Sequence, residues 1–373
     1  MNGGIVYKVP GRPLAQRFRT GVSLHGHTLH SRERIWFLQA LSKRSVALRW
    51  LIHSHYRSRS DSVTLAEEFS RIWWTPPLSP FQAAEVETAQ IERELEMKAL
   101  VSLTDHDDIE GPLEVQRTLP EFPISIEWSV RHESTTLHLG VHNLPPASAR
   151  PLAERMIACG QEPGAAGVDE LLQELAEQPG VLVVLNHPFW DLPGIGAENH
   201  ERCVTRFITR HGQRVHALEI NGIRPYQENR SVLALSRATG LPIVSGGDRH
   251  GVEPSAVLNV TDASTFAEFA EEVRDRHSQL VVMPQYGEPH MRRVLQTMSQ
   301  CLAQYPEHPL GWVQWSDRFF RLRQNGMPRS FTEMFDRKGQ PLAMRLFVAG
   351  VKVSHRAAGL GSTPGRRRAT ELL

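Results

Sequence analysis

Short apolar runs recur along this chain, and amphipathic stretches with helical spacing separate most of them. The apolar runs predict strands at about 20–25, 99–104, 123–130, 135–143, 181–186, 215–221 and 242–247. Helical periodicity fills about 80–98, 151–158, 168–178, 198–211, 227–239 and 264–276. Leu95-Glu96-Met97-Lys98-Ala99-Leu100 shows one such helix feeding the next strand. Alternation of this kind predicts an α/β domain with a largely parallel sheet, open or closed into a barrel. In either form, ligands gather at the carboxyl ends of the strands.

Two segments break the rhythm. An insert at about 32–79 begins with a basic, aromatic-rich helix over 33–52, whose apolar positions are read as packing over the main domain rather than meeting a membrane or nucleic acid. Beyond residue 285 the chain turns rich in Trp and Arg, with Trp312, Trp315, Phe319 and Phe320. The expected division is a main domain over 1–285, an accessory region over 286–358, and a disordered Gly/Ser/Pro-rich tail with three arginines over 359–373.

Composition narrows the partners. The chain has 373 residues, 40% of them hydrophobic, enough for a large core. Its 42 Lys and Arg against 41 Asp and Glu make no global field that would attract nucleic acid. Charge is uneven, however: the first sixty residues carry a single acid, Glu33. Cys159, Cys203 and Cys301 are sparse and lack Cys-x-x-Cys spacing, which argues against a disulfide framework or a thiolate zinc site. No secretory leader or spanning apolar run is evident, so a cytoplasmic protein is expected.

The chemistry collects where strands end. Leu24-His25-Gly26-His27-Thr28 closes the first apolar run, and residues two apart on a strand point to the same side. Leu103-Thr104-Asp105-His106-Asp107, Asn186-His187-Pro188 and Gly247-Asp248-Arg249-His250 close later runs. Glu127 and His138 add a carboxylate and an imidazole between them. This set of imidazoles and carboxylates without sulfur suits zinc, manganese or iron, and a bridging carboxylate can hold two or three such ions together.

These four ordered motifs resemble the polymerase and histidinol phosphatase (PHP) superfamily, over about 20–260. The resemblance implies a distorted seven-stranded (β/α) barrel, akin to a TIM barrel, with an insert after the first strand and a helical C-terminal extension. It implies phosphoester hydrolysis at a trinuclear metal centre. His25, His27, Glu127 and Asp248 would hold the first metal, and Glu127 would bridge to a second completed by His138 and His187. His106 and His250 would hold the third. The family's remaining third-metal ligand, an Asp or His five or six residues past His-x-His-Thr, falls here on Arg32 or Glu33. Glu33 alone of these can ligate.

The function read from these residues is hydrolysis of a small phosphorylated molecule by attack of a metal-bridging hydroxide on phosphorus, with two to three divalent ions. Nucleic-acid ends are a disfavoured substrate. A C–N or C–O hydrolase and a metal-stabilised module without catalysis are the competing readings. Asp105 is assigned to orienting a ligand or water, and Arg249 to a phosphate clamp or a salt bridge, with Arg131 and Arg224 as further clamps. Glu219-Ile220-Asn221 is read equally as part of the site or as a structural hydrogen-bonding pair.

Overall fold

The computed structural model of the protein describes residues 2–9, 14, 18–34, 71–161, 166–305, 314–323, 326–335 and 342–361. Its main body is two five-stranded sheets. The first contains β1 (Asn2–Tyr7), β2 (Thr20–Ser23), β5 (Lys98–Val101), β11 (Val257–Thr261) and β12 (His277–Val282), in the order β1-β12-β11-β2-β5. The second contains β6 (Ile126–His132), β7 (Thr135–His142), β8 (Leu182–Asn186), β9 (Ala217–Asn221) and β10 (Ile243–Gly246), in the order β10-β9-β8-β7-β6. A small third sheet, in the order β14-β13-β4-β3, joins β3 (Glu33–Arg34), β4 (Ile72–Trp74), β13 (Phe319–Leu322) and β14 (Pro328–Ser330).

The helices fall where periodicity placed them: α1 (Pro80–Leu95), α3 (Ala149–Gly160), α4 (Ala166–Glu177), α5 (Ala197–His211), α6 (Tyr226–Thr239) and α7 (Phe266–Arg274). A short α2 (Glu110–Gln116) follows β5, and α8 (His290–Leu302), α9 (Phe331–Phe335) and α10 (Leu342–Gly361) belong to the C-terminal region. Ser79 starts α1 by accepting from Gln82 N, with Pro80 in the first turn, where its missing N–H costs nothing. Glu96 ends it in the left-handed region at φ 58°. The core lies between sheets and helices, with Trp128, Leu139, Val183, Leu185, Phe207 and Leu218 fully buried.

The sheets are mixed, not largely parallel. Pairs β2·β5, β8·β9, β9·β10 and β1·β12 are parallel, whereas β6·β7, β7·β8, β2·β11 and β11·β12 are antiparallel. The chain between β6 and β7 is only Glu133-Ser134, and a link that short permits only antiparallel pairing. Nor, among the described residues, do the two sheets close into a continuous barrel. Two isolated bridges join them, Gly26 to Arg249 and His106 to Glu127, both among the residues expected to form the site. There His27 N donates to Arg249 O at 2.8 Å and Asp107 N to Glu127 O at 3.0 Å.

The sequence reading missed β1, β11, β12 and the third sheet. The helix expected over 33–52 is overturned at its start, since Glu33 and Arg34 form β3, and its remainder from 35 lies outside the described residues. The tail expected from 359 begins inside α10, and residues 362–373 lie outside the described part.

One half-buried histidine away from the site makes a testable contribution to stability. His216 Nδ1 accepts a hydrogen bond from Val183 N at 2.9 Å, which only the neutral ring can do. Burial, aided by nearby Arg274, lowers its pKa to about 4. The folded-state pKa is thus below the unfolded one, so the contribution is intact above about pH 6.5 and is lost as pH falls toward 4. We expect unfolding free energy to drop by up to about 1.4 kcal/mol per pH unit across that window from this group. Urea titrations of the wild type and His216→Gln should show the smaller pH slope in the variant; equal slopes would refute the assignment.

Candidate metal centre

The strands β2, β8 and β10 stop within two residues of His25, His187 and Asp248, and Ser102-Leu103-Thr104 separates the end of β5 from Asp105. His187 and Asp248 take positive φ values of 24° and 47°, a costly conformation that the surrounding structure must hold. Glu127 and His138 come from within β6 and β7. The result is one buried cluster.

Its first group is His25, His27, Glu127 and Asp248. Glu127 Oε2 lies 3.1 Å from His25 Nε2 and 3.4 Å from His27 Nε2, and these two nitrogens are 3.1 Å apart. Asp248 Oδ1 lies 3.8 Å from His25 Nε2 and 3.3 Å from His27 Nε2. Four ligands placed about 2.1 Å from a tetrahedral ion are about 3.4 Å from one another. The observed separations match that figure.

The other oxygen of Glu127 serves a second group: Oε1 is 3.3 Å from His138 Nδ1 and 3.2 Å from His187 Nε2. Asn186 Nδ2 donates to the same oxygen at 3.0 Å. The third group gathers on Glu33, whose Oε2 lies 3.4 Å from His106 Nε2 and 3.3 Å from His250 Nε2. His106 Nδ1 is also 3.1 Å from Glu127 Oε2, which links this group to the first. The structure therefore brings all nine of the predicted ligand residues into one place.

Two features fit this donor set to cations. Glu127 Oε2 and His138 Nδ1 are fully buried and have no hydrogen-bond partner, although nitrogens or oxygens lie close by. Lone pairs aimed at a shared point rather than at each other are what a cation satisfies. The charge balance agrees. Burial opposes ionisation of Glu33, Glu127 and Asp248, but the imidazoles around them outweigh it and hold all three well below the usual carboxylate range. Burial likewise opposes protonation of the histidines, and at His25, His106 and His250 adjacent carboxylates overcome it. His25 stands well above an ordinary imidazole, His106 is pushed up to about 10 and His250 to about 9. Burial prevails at His27, lowered to about 4, and at His187, also lowered. Groups of these residues could hold metal ions.

Supporting residues orient the cluster. Glu219 Oε1 accepts from His25 Nδ1 at 2.6 Å, leaving Nε2 to face the first group, and Glu219 Oε2 accepts from His187 N at 2.7 Å. A Cβ at position 246 would overlap both the Glu219 carboxylate and His25, so Gly246 makes that approach possible. Asn221 Nδ2 donates to Glu219 at 3.3 Å, which puts the Glu219-Ile220-Asn221 strand end beside the cluster. Ser31 donates to Glu33 Oε1 at 2.5 Å and accepts from His106 N at 3.1 Å.

Asp105 accepts from Thr28 N at 2.6 Å and from Thr28 Oγ1 at 2.7 Å, so it anchors the loop after His27. Arg249 points away from the cluster, its guanidinium 3.0 Å from Glu87 and 3.2 Å from Gln90 on α1. It is a structural ion pair, not a clamp. Arg131 donates to Gln161 O at the surface. Arg224, by contrast, donates to Asp248 Oδ2 at 2.9 Å and lies 3.6 Å over the Trp190 ring. Trp190 in turn packs edge-on to His187 at 5.0 Å, and Trp74 rests against His250 at 5.6 Å. Sequence reasoning missed both tryptophans. The position of Trp190 three residues past His187 was a usable signal; Trp74 offered none.

No family model matches the sequence, and none of the curated proteins compared with it does. Among solved structures the chain is similar to PsfC from Pseudomonas syringae PB-5123, with 17% identity and a TM-score of 0.37 over 58% of this chain and 88% of that one. It is similar to a protein of Bifidobacterium adolescentis provisionally described as a metal-dependent phosphoesterase, with 12% identity and a TM-score of 0.33 over 54% of this chain and 92% of that one. It is also similar to a two-domain protein of Bacteroides vulgatus containing a predicted PHP-like metal-dependent phosphoesterase, with 14% identity and a TM-score of 0.38 over 55% of this chain and 60% of that one. Two of these neighbours are thus described as metal-dependent phosphoesterases, one of them PHP-like, and a further neighbour, from Chromobacterium violaceum, is described as an amidohydrolase; all are at low identity and cover about half of this chain.

Proposed function

We propose that this protein is a metal-dependent phosphoesterase of the PHP type acting on a small phosphorylated molecule. One observation carries the reading: the Glu127 carboxylate turns one oxygen to His25 and His27 and the other to His138 and His187. Glu127 could thus hold a cation with each group. When bound, divalent ions would polarise a phosphoryl oxygen and make water acidic enough to yield a nucleophile at neutral pH. Glu33, Glu127 and Asp248 contribute three negative charges, so three divalent ions with one hydroxide would leave about two positive charges, matched to a phosphate dianion. On this reading the two sheets, tied by their bridges, serve as the distorted barrel.

The chain's own residues do the rest. Glu219 keeps the proton on His25 Nδ1, which leaves Nε2 a lone pair for ligation. Asp105 fixes Thr28 and with it the direction of the His25–His27 loop. Trp74 and Trp190 place apolar rings against the outer histidines and exclude water there. Arg224, fixed by Asp248 and the face of Trp190, presents a guanidinium suited to phosphate oxygens.

The test is a screen of manganese- and zinc-loaded protein against nucleoside monophosphates, short oligonucleotides, histidinol phosphate and sugar phosphates, with amide and ester substrates alongside. Phosphate release supports the proposal; amide cleavage, or bound metal without any turnover, refutes it. On the best substrate, Arg224→Ala should raise KM about tenfold to a hundredfold, the value of a charge-assisted hydrogen bond, and Arg224→Lys should recover part of that. An unchanged KM in Arg224→Ala would remove Arg224 from substrate binding.

A further inference from the structure

Glu33 reaches the cluster by an unusual route. Every other ligand-type residue of the cluster leaves one of the two main sheets or the connection at its end, whereas Glu33 stands on β3, a strand of two residues. β3 pairs with β4, with Glu33 opposite Trp74. Two strands this short are marginal by themselves. The outer edge of β4 is completed by the C-terminal region, where Phe319, Phe320 and Arg321 of β13 stand opposite Trp74, Trp73 and Ile72. Thr75 N donates to Arg318 O at 2.9 Å and Leu322 N to Arg71 O at 2.8 Å, extending the ladder at both ends.

Side chains reinforce the pairing. Phe319 is buried against Trp74 at 6.2 Å, Trp315 at 5.5 Å and Phe331 at 5.8 Å. On the opposite face Phe320 stacks on Trp73 at 5.7 Å, and the Arg32 guanidinium lies 5.9 Å over Trp73. Arg318 is fully buried and donates to the carbonyls of Cys301 and Ala303 at 2.8 Å, tying the sheet to the end of α8. A continuous packed chain thus runs from the C-terminal region through Phe319 and Trp74 to His250, and through β4 to Glu33.

We propose that this C-terminal sheet is the positioning element of the third metal position, acting through β4 on Glu33 and His250. This inference rests on the metal reading above. A ligand carboxylate must be held within about 0.5 Å to bind well; Ser31 holds the Glu33 side chain at Oε1, but the two-residue β3 does not by itself fix the backbone that carries it. The first and second groups draw on the two main sheets only, so a weakened β13·β4 contact acts on the third position selectively. Phe319 and Trp74 are positioning residues; neither offers a ligand atom.

The experiment compares full-length wild type, Glu33→Gln and Phe319→Ala, each loaded with manganese, dialysed against a series of free-metal concentrations and measured by elemental analysis. We expect Glu33→Gln to lose one ion per chain, and Phe319→Ala to bind that same ion at least tenfold more weakly while retaining the tighter ones. Far-ultraviolet circular dichroism reports whether each variant is folded. Should Phe319→Ala fail to fold, Phe320→Ala, which removes the stacking on Trp73, should shift the same ion in the same direction by a smaller factor. Wild type that takes up no metal overturns the metal reading itself. Wild type that loads normally, with Glu33→Gln losing an ion and folded Phe319→Ala or Phe320→Ala binding like wild type, overturns this inference alone. Loss of all ions together in Phe319→Ala, or of none in Glu33→Gln, also overturns it.

Discussion

Glu127→Gln is expected to lower turnover by on the order of ten-thousandfold or more and to reduce metal content by at least one ion per chain. The residue is fully buried and unavailable to solvent. Its two oxygens face five imidazoles, those of His25, His27 and His106 on one side and His138 and His187 on the other. Glutamine keeps the shape but removes the charge, and its NH2 group has no lone pair for a cation. One of the two groups must therefore lose its ligand whichever way the amide turns, and the positive imidazoles lose their central counter-charge. Elemental analysis and phosphate release measured on the same preparation check this. A fully loaded and active Gln variant would show that the carboxylate is only a buried counter-ion.

The second large effect is on the acidity of the cluster. In the chelated protein His25, His106 and His250 carry protons at neutral pH, since neighbouring carboxylates keep their pKa values well above the ordinary one, at about 10 for His106 and about 9 for His250. Ligation needs the neutral ring, so loading must expel those protons. His27 and His187 contribute none, being neutral already, and Glu33, Glu127 and Asp248 are ionised already. We expect release of about three protons per chain when all groups fill, and an apparent affinity that rises with pH by up to about a thousandfold per unit below pH 8. Titration calorimetry in buffers of different ionisation enthalpy counts the protons. Release of fewer than one would mean that the imidazoles are neutral before loading and that the carboxylates do not govern them.

Much of the chain could be read without coordinates. The alternation of apolar runs with helical stretches located seven of the strands and the helices α1 and α3 to α7, because a buried strand and a one-sided helix each impose their own period on the residues. The His-x-His spacing and the ligand-type residues after later strands marked where chemistry collects, since strand ends are where side chains leave the ladder. Even Glu33 could be singled out, as a carboxylate where the resemblance to the PHP superfamily implies a ligand.

Tertiary structure decided the rest. Period says which face of a strand is buried, not which strand lies beside it. So the mixed pairing, the bridges at Gly26 and His106 and the recruitment of β13 to β4 could not be read locally. The same limit explains the misassigned residues. Arg249 sits between Asp248 and His250 in sequence yet faces Glu87, while Arg224, twenty-four residues before Asp248, reaches its carboxylate. Trp74 meets His250 across one hundred and seventy-six positions. Sequence determines which residues can ligate and which backbone conformations carry them; only the packing of distant segments brings their lone pairs to a common point, because that convergence is a property of three-dimensional distance and not of spacing along the chain.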